Sequence, residues 1–350
     1  MKTFQKLKNN PDLWKRYLVR ETVNEAIRSY FKKRGFHEVT TPLLLPTPSS
    51  EPYLEVFQTE LKNDLGQKWD AYLPTSPEYA LKKLLSAGSG SIFEITKSFR
   101  NGEGESSRHN SEFSILEWYE TPGDYWSVAK DFEELMIGIL RSVRLTGPGL
   151  VRQDLTLKYL GKEYDLAGPW ERISVAEAFQ KYAEIGTETM LDEARLKKVG
   201  KEKGYSVDES TTWEQIWNQI IANEIEPHLG VSRPTILYDY PVSQAVLSKR
   251  AKDPRFAERW EVFLAGLELG NCYTECTDPD EVEERCKDDL AVRAKLGKTK
   301  FPYDSDLITA MRMGMPPSGG IAVGIDRLVM LFADAARIQD VLLFPSEELF

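Results

Sequence analysis

Residues 91–120, SIFEITKSFRNGEGESSRHNSEFSILEWYE, decide how the chain is read. Two alternating segments, SIFEITKSF and SEFSILEWYE, flank a run of Gly, Glu, Ser, Arg, His and Asn. Such alternation marks a half-buried strand, so the stretch predicts an antiparallel hairpin with a long polar loop. It also puts Phe113, Ile115, Glu117 and Tyr119 on one face. A ring, a carboxylate and a phenol are costly to bury together unless they meet a polar ligand. Arg100, Arg108 and His109, on and around the turn, suit phosphate oxygens, because a guanidinium makes forked, charge-assisted bonds to them. Taken alone, the stretch reads more readily as a surface hairpin with solvated charges, since one motif is weak evidence.

Working outward, residues 10–34 predict a helix, with Asn10 as N-cap, Pro11 in the first turn and Gly35 closing the end. FHEVTTPLLLP predicts a strand ended by prolines. Residues 75–87 predict a helix with Ser76 as N-cap, Pro77 at its first position and Glu78 in its first turn. DYWSVAKDFEELMIGILRSV predicts another helix. From about 146 to 232, short helical patterns joined by polar turns suggest a helical insertion. PTILYDYP, RWEVFLAGLELGNCYTE and GGIAVGIDRLVMLF then supply strands and a last helix. DPDEVEERCKDDLAVRAKLG predicts a solvated amphipathic helix. Antiparallel strands with helices around them indicate one α+β domain over 1–350.

The 350 residues, 41% hydrophobic and 29% charged, suffice for a large core. The formal net charge of -10 weighs against a broad nucleic-acid surface. No apolar run is long enough to span a bilayer, and the N-terminal stretch lacks a signal-peptide core, so a cytoplasmic protein without membrane partners is expected. Three cysteines, Cys272, Cys276 and Cys286, suggest reduced thiols. His37, His109 and His228 lack metal-ligand spacing near them, so zinc is not expected.

Two further segments strengthen the functional reading of the hairpin. GGIAVGIDRLVMLF joins a glycine-bearing strand to Asp326 and Arg327 at a helix start. Its glycines permit close ligand approach, and Arg327 suits stacking on a purine. RWEVFLAGLELGNCYTE spaces Glu261, Glu268 and Glu275 by seven. A turn or bulge at Ala265-Gly266 would let Glu261 and Glu268 converge as oxygen ligands for Mg²⁺ on phosphates.

These segments resemble the three signature motifs of class II aminoacyl-tRNA synthetases. GFHEVTTP with Pro42 is similar to motif one, Phe99-Arg100 through Glu117 to motif two, and GIAVGIDRL with Arg327 to motif three. Over essentially the whole chain the resemblance is to the lysyl subgroup. Within it, TSPEY, LEWY and YPVSQAVLS look closest to the elongation factor P lysine ligases, stand-alone relatives of the lysyl-tRNA synthetase catalytic domain. The resemblance implies a class II catalytic fold, an antiparallel sheet of six to seven strands flanked by helices, and a homodimer built on motif one. No anticodon-binding domain is expected, since the chain begins almost directly at the helix before motif one.

The resemblance implies that lysine or β-lysine is activated with ATP and Mg²⁺ as an aminoacyl-adenylate. Arg100 would hold the α-phosphate and the amino-acid carboxylate. Arg108, His109 and Asn110 would serve ATP from the loop. Phe113 and Arg327 would enclose the adenine, and Glu261 and Glu268 would hold Mg²⁺. The catalytic pair is then Arg100 and Arg327. Glu78, Glu117, Tyr119, Gly270, Asn271 and Glu275 would form the amino-acid pocket. Crowded carboxylates repel unless a cation sits among them, and a diamino acid brings two ammonium groups. The implied acceptor is a lysine side chain of elongation factor P; the alternative is tRNA or another small acceptor charged with α-lysine. A catalytically silent relative is a third reading, which the intact Arg100, Glu261, Glu268 and Arg327 oppose. Gly270 stands where the ligases usually carry Ala, at a position implied to distinguish α- from β-lysine. Arg108 also looks more synthetase-like.

Overall fold

The computed structural model describes residues 2–102, 106–146 and 154–350. The centre of the predicted loop, residues 103–105, and the start of the predicted insertion, residues 147–153, lie outside the described residues.

Helix α1 (Thr3–Asn9) leads through a 3-10 turn, Pro11–Leu13, into α2 (Trp14–Lys33). Asn10 caps that 3-10 turn by accepting the Asp12 N–H at 3.2 Å. Gly35 turns the chain out of α2 at φ 80°. Next come β1 (His37–Glu38), a ladder of β2 (Gln58–Lys62) and β3 (Lys68–Tyr72), helix α3 (Glu78–Ser86), and the hairpin β4 (Ile92–Phe99) and β5 (Glu112–Glu120). Helix α3 begins one residue later than predicted, with Pro77 at the N-cap position. Ser76 Oγ still accepts the Glu78 N–H at 3.0 Å.

After α4 (Tyr125–Thr146) come a small ladder of β6 (Thr156–Tyr159) and β7 (Lys162–Asp165), strand β8 (Glu171–Ser174), and helices α5 (Val175–Ala178), α6 (Thr187–Leu191), α7 (Glu193–Glu202) and α8 (Trp213–Ile220). The described part of the expected helical insertion therefore contains three strands as well as helices. Leu157, Tyr159, Tyr164 and Leu166 join the main core, whereas Phe179, Trp217 and Ile220 build a second apolar cluster. The chain ends with β9 (Thr235–Pro241), β10 (Phe256–Leu264), β11 (Leu267–Thr274), α9 (Pro279–Lys295), α10 (Ser305–Arg312), β12 (Gly319–Gly324), α11 (Ile325–Phe332) and α12 (Ser346–Leu349).

Eight strands form one sheet in the order β1-β4-β5-β12-β11-β10-β9-β8. The α+β class agrees with expectation, but the all-antiparallel sheet of six to seven strands does not. The sheet is mixed: the inner strands are antiparallel, while β1 runs parallel to β4 and β8 parallel to β9. Edge strand β8 lies in the stretch expected to be a helical insertion. The strand predicted at FHEVTTPLLLP is present as β1, only two residues long and prolonged by the Val39 N–H to the Phe93 carbonyl at 3.0 Å.

Helices α2, α4 and α11 cover one face of this sheet. Phe31, Phe132 and Leu328 pack with Leu116, Trp118, Trp260, Ile321 and Val323, all fully or nearly fully buried. Each such side chain contributes roughly 1.5–3 kcal/mol. Cys272, Cys276 and Cys286 are buried free thiols. Among the described residues no helix is long and apolar enough to cross a membrane.

Candidate active site

The opposite face of the sheet carries a cavity of about 430 Å³. Strand β5 lines it with Phe113, Ile115, Glu117 and Tyr119, the face that alternation predicts, while Leu116 and Trp118 enter the core. Register extends the pattern across four strands. Glu117, Ala322, Asn271 and Glu261 form one row, and Tyr119, Gly320, Tyr273 and Arg259 the next. Gly320 must be small: a Cβ there would lie 2.5 Å from Glu275 Oε1 and also collide with the Tyr119 ring.

The β10–β11 turn falls at Ala265 and Gly266, with φ 55° and 73°. A bulge accompanies it. Val262 pairs with Gly270 and Phe263 with Glu268, leaving Leu269 as the extra residue. That residue resets the alternation. Glu268 and Asn271 both line the cavity, although they are three positions apart.

One end of the cavity is cationic. The Arg100 guanidinium lies over the Phe113 ring, 5.1 Å from its centroid. Arg108 lines the wall near Gly266. An Arg327 Nη2–H donates to His109 Nε2 at 3.0 Å, so His109 Nδ1–H donates to Ser106 Oγ at 2.8 Å. Arg327 Nη1 donates to the Glu268 carbonyl at 2.7 Å. Asn110 also lines this end, and its Oδ1 accepts the Ser346 N–H at 2.9 Å. The Asp326 carboxylate turns away from the cavity's charges: it accepts the Ser114 N–H at 2.8 Å and pairs with Arg20 at 2.5 Å.

The other end is acidic. Ser76 and Tyr119 hydroxyls each donate to the Glu117 carboxylate at 2.7 Å. Lys82, absent from the sequence reading of the site, places its Nζ 2.6 Å from Glu78 and 2.8 Å from Glu275. The acidic cluster thus already holds one cation of its own. Burial pushes the Glu117 carboxyl well above its usual range, and the Glu78 charge adds to this. Burial also pushes Glu275 up, to about 7, against the pull of Lys82. Burial alone would lower the Lys82 ammonium, but the Glu275 and Glu78 carboxylates outweigh it and raise it.

Thirteen of the fourteen predicted site residues line this one cavity; Glu261 stands apart. Its carboxylate lies behind the wall, accepting from Arg259 at 2.5 Å and Tyr240 at 2.8 Å. Burial raises its carboxyl, Arg259 opposes that, and the Glu268 charge adds to it. Mg²⁺ beside a nucleotide takes one or two carboxylates and the phosphates, and Glu268, on the cavity wall, has that chemistry. Gly270 lines the cavity, yet a Cβ there would press at 3.1 Å on the Ala322 carbonyl, Ile321 and Val323. A methyl would therefore need the Ala322 carbonyl, Ile321 and Val323 to give by a few tenths of an ångström.

Sequence reasoning missed Arg259, which donates to Asn271 Oδ1 at 3.2 Å and to the Gln244 carbonyl. It also missed Tyr273, whose hydroxyl accepts from Asn271 at 3.0 Å. Both alternate with residues already singled out, Glu261 and Asn271, and that alternation was the available signal.

A family model described as tRNA synthetases class II (D, K and N) matches residues 2–348. A lysine–tRNA ligase of Chloroflexus aurantiacus is 36% identical over 340 residues, covering 96% of this chain and 66% of the relative. Those of Carboxydothermus hydrogenoformans and Magnetococcus marinus are each 35% identical, over 96% of this chain and 66% and 65% of their own lengths. The chain thus spans just under two thirds of these relatives.

Proposed function

This chain belongs to the class II tRNA synthetase family of the D, K and N type, and from that premise we propose that it activates lysine or β-lysine with ATP as an aminoacyl-adenylate. The carrying observation is the polarity of one cavity. Arg100, Arg108 and Arg327 line one end, and Glu78, Glu117 and Glu275 the other. A polyphosphate suits the first end and a substrate with two ammonium groups the second.

Arg100 holds the α-phosphate and the substrate carboxylate. A carboxylate oxygen attacks the α-phosphorus, the bond to the β-phosphate bridge breaks, and pyrophosphate leaves. The substrate brings its own nucleophile, so the protein positions the reactants and neutralises charge. Phe113 and Arg327 enclose the adenine; Arg327 must exchange its His109 partner to do so. Arg108, His109 and Asn110 attend the phosphates. Glu268 and Glu261 would hold Mg²⁺, which neutralises charge on the phosphates. Asn271 orients the carboxylate; Glu78 takes the nearer ammonium, and Glu117, Tyr119 and Glu275 the distal one.

For the acceptor we favour a lysine side chain of elongation factor P, whose amine attacks the carbonyl carbon and displaces AMP. The supporting observation is the remaining wall, where Glu51, Glu214 and Asp289 line the cavity. An acidic wall suits an incoming ammonium and opposes a phosphodiester chain. The second reading is transfer to tRNA, favoured by the names of the relatives. Assembly as a homodimer through β1 and Pro42 belongs to the same proposal.

Pyrophosphate exchange with α-lysine, (R)-β-lysine, (S)-β-lysine, ornithine and neutral amino acids tests the activation step. Exchange stimulated only by diamino acids is expected, and stimulation by none of them refutes it. Transfer of labelled lysine to elongation factor P or to tRNA then separates the two acceptors.

A further inference from the structure

Lysine is seldom buried without a partner. Lys82 is 2% exposed, one helical turn beyond Glu78 on α3, and does not line the cavity. It stands behind the wall, its Nζ in contact with Glu78 Oε1 and Glu275 Oε2. Glu275 Oε1 is buried and without a hydrogen-bond partner among the described residues, and Glu275 lines the cavity. The groups facing this cluster are Glu78 and Tyr79 from α3, Glu117 and Tyr119 from β5, Tyr273 from β11, Glu275 and Cys276 just after it, Cys286 from α9, and Glu51, which Arg100 and Arg259 offset. Lys83 takes no part; it pairs with Asp304 at the start of α10.

The charges can be counted. Glu78, Glu117 and Glu275 bring three negative charges when ionised, and Lys82 brings one positive charge. The remainder is two, the number of ammonium groups on a diamino acid. A monoamino acid would leave one buried negative charge uncompensated, which is costly.

We propose that Lys82 is a positioning residue that sets the charge the amino-acid pocket accepts: its fixed ammonium holds Glu78 and Glu275 toward the cavity and leaves room for two substrate ammonium groups. This rests on reading the acidic end as the amino-acid pocket. Without Lys82 the carboxylates would face one another uncompensated and would retain a proton at neutral pH, and that proton displaces a substrate ammonium.

The test is lysine-dependent pyrophosphate exchange by Lys82→Met and Lys82→Arg from pH 6 to 8.5. For Lys82→Met, the lysine KM at pH 7 should rise about tenfold or more, the cost of one pKa unit at one carboxylate. The ATP KM should stay within about twofold, and the acidic limb of kcat/KM should move to higher pH. Lys82→Arg keeps the charge and should keep the limb in place. An unchanged lysine KM and limb in Lys82→Met overturns the proposal. If Lys82→Met does not fold, a shifted limb in Lys82→Arg overturns it instead.

The empty protein supplies a separate readout. A carboxyl raised in the folded state makes stability fall as pH rises. The melting-temperature gap between wild type and Lys82→Met should therefore widen from pH 6 to 8.5, and a constant gap overturns the charge coupling. Absence of lysine-dependent exchange in the wild type, with a widening gap, would instead count against the pocket's assigned substrate.

Discussion

Lysine binding should be coupled to proton release. The perturbation is pH, lowered from 8 to 6 during a binding titration. The empty site holds Glu275 raised from 4.5 to about 7 and Glu117 raised in the same direction. The substrate ammonium groups need both carboxylates ionised, so binding expels whatever protons they carry. At pH 6 a carboxyl with a pKa near 7 is about nine-tenths protonated, and each pH unit below that pKa costs about 1.4 kcal/mol, or tenfold in Kd. If Glu117 behaves alike, the loss approaches about a hundredfold per unit. Lysine itself stays doubly ammonium across this window, so the slope belongs to the protein. Calorimetry in two buffers of different ionisation enthalpy counts the protons; about one or more should be released near pH 6.5. The stability of the empty protein carries the matching sign. These carboxyls favour the folded state when protonated, so stability should decline as pH rises from about 4.5 to 7. A Kd that is flat from pH 6 to 7.5, with no buffer dependence of the heat, would refute the coupling.

Three other perturbations test separate parts of the structure. Gly320→Ala forces a methyl onto Glu275 Oε1 and the Tyr119 ring, so lysine KM should rise at least about tenfold while ATP KM holds, by exchange kinetics. Arg259→Met strips Glu261 of its cation and Asn271 of its donor, and kcat should fall about a hundredfold in single-turnover adenylation, with the melting temperature lowered. Arg20→Met leaves the buried Asp326 carboxylate without its charge partner, and about 3–5 kcal/mol of stability should be lost in urea unfolding.

Much of the site was legible because strand periodicity is a local property. Phe113, Glu117 and Tyr119 sit as alternation requires, and Glu268 joins them through the turn at Ala265 and Gly266. What stayed hidden depends on contacts between distant segments. Lys82 lies in EYALKK, where a lysine four residues after a glutamate reads as a solvated helix pair. Only the approach of Glu275, 193 positions away by numbering (275 − 82), makes it interior. The bulge at Leu269 hides for the same reason, since an extra residue shows only against a partner strand. Gly270 was read as part of the pocket wall, but the direction of an added methyl is set by β12 behind it.

The parallel edge strand β8 has a consequence for anyone trimming this molecule. Glu171–Ser174 lies within the stretch that looks dispensable as an insertion, yet it pairs with β9 from Thr235 to Tyr238. Excising the whole stretch would strip β9 of that cover and bare a row of unsatisfied amides and carbonyls, a template for intermolecular strand addition. A shortened version that spares residues 154–174 keeps β9 paired; one that removes them invites fibrils or precipitate. The helices after Ser174 are scaffold as well, since Phe179, Trp217 and Ile220 share one apolar cluster with Leu237, Tyr240 and Phe263 of β9 and β10.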